Sequence, residues 1–426
     1  MKFDKDKEYA LALSGGGVRG AYQIGVWRAL IEEGIKIKAV CGTSIGAING
    51  ALIAQGDFDM ALKLWSELTP DIVYNKDSNV IDRIRDISKL ETLLRDNLDE
   101  EKIRNSDIDF GIVTFNLTTK EPVIIFKDEM PKEKMIDYIL ASANYPVFYR
   151  KEIDEEIYVD GGIYDNLPRK PLADKGYKDI IEVDINPPLS GITKKSVCDD
   201  VNIYNITSKH SLHGQFIFNQ KQINDNLSKG YLDVKLYNDE FLSSHFYVKK
   251  PTNDYDISLK PKDIARLILD ERFIGIFLNN KIIRNCIIYI NDYYKSKNGY
   301  DGGDLSIRDE RFFMSAMEIT AEVLDVEPIM LYSYEEFRVH VVREIYKLIS
   351  KEEVITDLIK NGPFNSKNDL KDYFDKKTML ALLIFLSYKN QTLEKIIYKI
   401  SPKILISFIT SFIVMNRLNF DLVIED

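Results

Sequence analysis

The stretch Cys41-Gly42-Thr43-Ser44-Ile45-Gly46-Ala47 decides how the first half of this chain is read. An apolar run before it, Ile35 to Val40, predicts a buried strand. After it, Ala47-Ile48-Asn49-Gly50-Ala51-Leu52-Ile53-Ala54 predicts a helix of small and apolar residues. A serine with a glycine two residues to either side, at a strand-to-helix turn, has the layout of a nucleophile elbow. Such a turn is strained and brings backbone segments so close that a Cβ on the flanking residues would clash. The following helix adds partial positive charge near the hydroxyl, which favours an alkoxide-like nucleophile. Taken alone the pattern is weak, because it arises by chance in about one chain in ten of this length. A tight turn with a surface serine is then the simpler explanation, and what surrounds the motif has to decide.

Upstream, Tyr9-Ala10-Leu11-Ala12-Leu13 is a short strand candidate followed by Ser14-Gly15-Gly16-Gly17-Val18-Arg19-Gly20. A helix follows over about Ala21 to Glu33, with Ile24, Trp27, Ala29, Leu30 and Ile31 towards one face and Gly34 placed to end it. Strand, glycine-rich loop, helix, strand, elbow and helix make a βαβα start, which implies a parallel sheet with covering helices. The loop satisfies Gly-x-Gly-x-x-Gly, so a dinucleotide-binding fold has to be weighed. That fold needs an acid at the end of the second strand to hold the ribose. The second strand here ends in Val40-Cys41-Gly42-Thr43-Ser44, and Glu32 and Glu33 come too early. The competing reading is an oxyanion loop, in which successive glycine N–H groups at a helix N-terminus converge on developing negative charge. A tight connection without a ligand would leave the triple glycine unexplained.

Further along, helices are expected over Asp57–Leu68, with Asp57 as N-cap, and over Ser78–Leu98. Ile108–Asn116 and Pro122–Phe126 predict a hairpin, and Lys132–Ala143 a helix that ends before Pro146. A strand pair around Asp154-Glu155-Glu156 ends in Tyr158-Val159-Asp160-Gly161-Gly162. An aspartate at a strand end, followed by two glycines, projects into a crevice with little cover; a plain turn aspartate explains it as well. A short helix from Pro168 to Lys175, a strand over Lys178–Ile185 and a helix over Gln215–Lys229 stopped at Gly230 complete the pattern, which ends at about Asn238.

Composition narrows the class. The 426 residues can bury a large core and are enough for two domains, and a net charge of −10 argues against nucleic acid as a partner. The three cysteines, Cys41, Cys198 and Cys286, form neither a disulfide framework nor a zinc motif, so no metal site is expected. The N-terminal residues lack the apolar segment of a signal peptide, and the apolar run Ile404 to Met415 is too short to span a bilayer. The expected location is cytoplasmic or peripheral at a membrane.

Together, Gly15-Gly16-Gly17-Val18-Arg19-Gly20, Gly42-Thr43-Ser44-Ile45-Gly46 and Asp160-Gly161-Gly162 resemble the motifs of the patatin-like phospholipases, in order and spacing. The stretch Ala141-Ser142-Ala143-Asn144-Tyr145-Pro146-Val147-Phe148 is similar to the family's segment before its catalytic aspartate. The resemblance covers roughly residues 7 to 235. It implies a three-layer α/β sandwich with a mostly parallel sheet, and an acyl hydrolase with a Ser–Asp dyad in which Ser44 matches the nucleophile and Asp160 the aspartate. Gly15, Gly16, Gly17 and Arg19 match the oxyanion-hole segment. The implied substrates are acyl esters of phospholipids and related lipids, met at a membrane surface, with no cofactor and no calcium. Asn144-Tyr145 departs from the small or apolar residues more common there, which leaves the shape of the acyl pocket open.

A Ser–His–Asp triad is the alternative mechanism, and a lipid- or nucleotide-binding module using the glycine loop is the non-enzymatic one. Of the four histidines, His210 and His213 lie about fifty residues after Asp160 in a polar stretch with no strand recognised before it, which favours Asp160 as the base. Asp301-Gly302-Gly303 repeats the aspartate motif in a hydrophilic stretch and reads as a turn. The domains expected are residues 1–238, the hydrolase, and 239–426, mainly helical. Helices are expected there over Asp263–Phe277, Lys281–Tyr294, Ser306–Leu324, Ser333–Ser350 (opened by a capping box), Lys377–Tyr388, Thr392–Ile400 and Lys403–Met415. The last could lie on a lipid surface, although burial in a core accounts for the same residues more simply.

Overall fold

The computed structural model describes residues 2–73, 86–149, 151–186, 200–212, 214–216, 218–251, 280–298, 309–349, 375–378, 380 and 401–417. The expected helices Asp263–Phe277 and Thr392–Ile400, most of Lys377–Tyr388, the start of Ser78–Leu98, His213 and Asp301-Gly302-Gly303 lie outside the described residues. The chain divides into two compact units, Met1–Asp239 and Glu240–Asp426.

Among the described residues of the first unit eight strands form one sheet: β1 (Glu8–Leu13), β2 (Lys36–Thr43), β3 (Asp109–Asn116), β4 (Glu121–Phe126), β5 (Lys151–Ile153), β6 (Glu156–Asp160), β7 (Asp179–Asp184) and β8 (Asn202–Thr207). Their order is β5-β6-β3-β2-β1-β7-β8, with β4 on β3. The pairs β3–β2, β2–β1, β1–β7 and β7–β8 are parallel, and β4, β5 and β6 pair antiparallel. The alternation of β1 explains the layers. Tyr9, Leu11 and Leu13 face the larger core, under the helices α1 (Ala21–Glu32) and α2 (Ile45–Gln55). Ala10 and Ala12 face a smaller core that includes Leu167 and Leu172, from the segment that carries the helix Arg169–Asp174. Both faces are covered, and the result is the expected three-layer α/β sandwich with a mostly parallel sheet.

Two expectations fail here. The sequence does not indicate the strand β8, because Asn202-Ile203-Tyr204-Asn205-Ile206-Thr207 places Ile203 and Ile206 on opposite faces with no apolar alternation; β8 is an edge strand, which needs only one paired side. His210 therefore does follow a strand. Second, the helix expected over Gln215–Lys229 instead spans Gln220–Tyr237 and runs straight through Gly230. Gly230 is a packing residue: a Cβ there would lie 2.0 Å from the Tyr22 carbonyl oxygen, and one on Gly25 would lie 2.0 Å from that of Leu227. The two glycines let α1 and this helix cross with their backbones in contact. Gly230→Ala is therefore expected to destabilise the unit by about 3 kcal/mol, since the clash is with backbone and no side chain can yield. Urea unfolding measures it, and a change below about 0.5 kcal/mol would contradict the close crossing.

The described residues of the second unit are mainly helical, with helices Asn280–Asn298, Asp309–Val323, Tyr334–Ile349 and Pro402–Arg417. The unit also holds a short parallel pair, Tyr247–Val248 with Leu331–Tyr332, which extends β structure past the expected limit at Asn238. The capping box is present: the Ser333 N–H donates to Glu336 and the Glu336 N–H to Ser333 Oγ. Ile404, Leu405, Ile406, Phe408 and Ile409 are buried in this unit's core, so the core reading of that helix holds. Among the described residues no helix is long and apolar enough to cross a membrane.

Candidate active site

The helix α2 begins directly where β2 ends, and Ser44 is the residue at the corner. Its φ of 57° and ψ of −125° put a non-glycine residue in a strained conformation. The neighbours accept the strain because they have no side chains. A Cβ on Gly42 would lie 2.1 Å from the Gly46 carbonyl oxygen, one on Gly46 2.3 Å from that of Leu13, and one on Gly15 2.9 Å from Ser44 Cβ. The turn is thus held tight against β1 with Ser44 lifted clear of the sheet.

Asp160 reaches this corner by strand pairing. A strand has two edges, and β4 occupies one edge of β3 from Gly111 to Asn116. On the other edge β2 pairs as far as Thr43 with Val113, and β6 takes over with Asp160 opposite Thr114. The end of β6 therefore abuts the end of β2, where Ser44 stands. The Asp160 carboxyl is 5% exposed, accepts the Gly162 N–H at 2.8 Å and is hydrogen-bonded by the Ser44 side chain. Burial pushes its pKa up to about 6, against those two hydrogen bonds, which hold it down. A carboxylate with that pKa is a competent base near neutral pH. Gly161 packs so closely that a Cβ would lie 2.1 Å from the Val113 carbonyl oxygen.

One short segment fastens both residues, and nothing in its sequence announced that. Ser142 Oγ donates to the Val113 carbonyl at 2.7 Å and accepts the Ser44 N–H at 3.0 Å. Two residues on, the Asn144 carbonyl accepts the Asp160 N–H at 2.9 Å, and the Asn144 amide donates to the Tyr158 carbonyl at 3.0 Å. The residue that departs from the family pattern, Asn144, is thus a buried clip on β6.

The glycine loop lies beside Ser44, but its groups are not equivalent. The Gly15 N–H donates to the Asn166 carbonyl at 3.1 Å, and the Val18 N–H to that of Gln215 at 2.9 Å. Among the described residues the Gly16 and Gly17 N–H groups have no backbone partner outside helices and strands, and Gly17, with φ of 60°, faces the same cavity as Ser44. Gly15 instead has its carbonyl held by Asn186 at 2.9 Å. Arg19 is half-buried, its basicity lowered by burial, and it does not line that cavity.

The cavity has a volume of about 130 Å³ and is lined almost wholly by apolar side chains from α2, from α3 (Phe58–Glu67), from the helix Ser88–Asn97 and from Tyr145, Phe148 and Phe216. Its size is about ten times what one water needs, yet its wall offers few polar partners, which suits hydrocarbon. None of this was legible from sequence, since it is assembled from six segments far apart in the chain.

Known proteins bear on this geometry. Residues 11–173 match the family model described as patatin-like phospholipase. The chain is 26% identical over 186 residues to patatin-like phospholipase domain-containing protein 7 of Rattus norvegicus, covering 41% of this chain and 13% of that protein. It is 30% identical over 185 residues to an uncharacterized NTE family protein of Mycobacterium bovis, covering 43% of this chain and 50% of the relative. The chain thus spans half or less of the length of these curated relatives. Among solved structures, VipD from Legionella pneumophila covers 98% of this chain and 93% of its own at 14% identity, with a TM-score of 0.39. The family match runs from β1 through the elbow and the Asp160 motif, so this part of the chain is similar to the patatin-like phospholipases.

Proposed function

We propose that this chain is a lipid acyl hydrolase that cleaves carboxylic ester bonds of phospholipids or lysophospholipids through a Ser44–Asp160 dyad. The observation that carries the reading is the Ser44 hydroxyl, hydrogen-bonded to a buried carboxylate at an apolar cavity. In the first step Ser44 Oγ attacks the ester carbonyl while Asp160 takes its proton. The N–H groups of Gly16 and Gly17 receive the oxyanion, each worth about 3 kcal/mol of transition-state stabilisation. Asp160 then returns the proton to the leaving alcohol. Water, deprotonated by Asp160, releases the acyl group from Ser44. The chemistry resides in residues 1–238, and the family's name supports a phospholipid substrate.

A lipid surface as the place of action is supported by what surrounds the dyad. Tyr145 and Phe216, which line the cavity, are exposed, as is Val147 between the lining residues Tyr145 and Phe148; Ile163 and Tyr164, both at least half exposed, follow Asp160 by three and four residues. Apolar and tyrosine side chains held in solvent at one site suit the interface of a bilayer. The double variant Val147→Ser/Ile163→Ser is expected to lower fatty-acid release from phosphatidylcholine vesicles by about tenfold. Hydrolysis of a soluble short-chain ester should stay within about twofold, since neither residue lines the cavity. Equal losses on both substrates, or none on vesicles, would remove the surface role.

A further inference from the structure

We propose that α2 is a ruler for the acyl chain, with Leu52 as the residue that sets the length accepted; this rests on the hydrolase reading of Ser44. On α2, Ile45, Ile48 and Leu52 recur at helical spacing on one stripe, and all three line the cavity that Ser44 also lines. The facing wall is Leu64 of α3 and Leu68 just after it, with Leu90, Leu93 and Leu94 of the helix Ser88–Asn97. Among the described residues no charged side chain lines the cavity, which suits a hydrocarbon tail better than a charged head group.

The next position of the stripe ends it. Gln55 does not line the cavity; its amide donates to the Asn97 carbonyl at 3.1 Å, and its side-chain oxygen accepts the Asp99 N–H at 2.7 Å. These bonds tie the last turn of α2 to the end of the helix Ser88–Asn97 directly behind Leu52. Leu52, itself 2% exposed, is the last apolar residue of the cavity-lining stripe before that polar clamp. With a rise of 1.5 Å per residue, Leu52 lies about 12 Å along α2 from Ser44, and Ile48 about 6 Å. An extended chain of single bonds advances about 1.2 Å per bond, so the two positions correspond to about ten and about five carbons.

The test is kcat/KM of the full chain on monomeric 4-nitrophenyl esters of about four to about sixteen carbons. For the native protein the value is expected to rise about threefold per methylene up to about ten carbons and to stop rising there. Leu52→Phe should bring the break down by about two carbons, and Ile48→Phe to about five, read from the shape of each profile over chain length. Leu52→Ala, which removes bulk instead of adding it, should move the break beyond about ten carbons and keeps the test open if a phenylalanine variant fails to fold. Identical profiles for the two phenylalanine variants, or losses uniform over all lengths, would overturn the ruler while leaving the hydrolase intact. An absence of hydrolysis at every length in the native protein would overturn the hydrolase reading and the ruler with it.

Discussion

Ser44→Ala is expected to lower ester hydrolysis by at least about 10⁴-fold and to abolish covalent labelling by a fluorophosphonate probe. The substitution removes one atom, Oγ, and keeps the Cβ that Gly15 approaches, so the elbow retains its packing. The Ser44 N–H still donates to Ser142, which holds the corner independently of the lost hydroxyl. Asp160 loses the hydrogen bond that lowers its pKa, and its carboxyl should move further up. Thermal unfolding should therefore hardly change while turnover disappears. Labelling that persists in Ser44→Ala would place the nucleophile elsewhere. A native protein that never labels would support a binding module whose glycine loop only cradles a ligand.

The second large effect belongs to Asp160. Asp160→Asn keeps the shape and the hydrogen-bonding reach but cannot accept a proton, and a loss of about 10³-fold is expected. The pH dependence carries the same information with a definite sign. The base works only when ionised, so kcat/KM in the native protein should be constant above about pH 6 and fall about tenfold per unit below it, because burial raises the Asp160 pKa to about 6. The residual activity of Asp160→Asn should lack this limb. Changing His210 and His213 together to alanine should leave most of the activity. Survival of activity in Asp160→Asn, with its loss in the double histidine variant, would replace the dyad by a triad. The histidines merit that control because His210 follows the strand β8, a position the sequence pattern did not indicate.

Where reading by sequence succeeded, the controlling interactions were local. The glycines of the elbow, the Asp57 N-cap accepting the Met60 N–H at 3.2 Å and the Ser333–Glu336 capping box each act within a few residues, so their signals sit in short windows. The apolar runs of β1, β2, β3 and β7 are legible because a strand buried on both faces has little polar content. The failures have the opposite cause. Gly230 looks like a helix stop in its own window, and only the carbonyl of Tyr22, 208 residues away along the chain, explains why a glycine continues the helix. Asn144 looks like an ill-fitting residue, and its place under β6 makes it a clip.

The sequence by itself determined a parallel sheet with covering helices and the strained corner at Ser44, because strand burial, turn strain and glycine requirements are properties of short segments; Asp160 stood out only through the family resemblance. Only the tertiary structure decided that β6 takes over the edge of β3 where β2 stops, which brings Asp160 to Ser44 and raises its pKa through burial. It also decided which loop N–H groups remain available and built an apolar cavity from α2, α3, the helix Ser88–Asn97 and the Tyr145–Phe148 segment. Those are properties of segments far apart in sequence and packed together, and burial, desolvation and enclosure exist only once they meet.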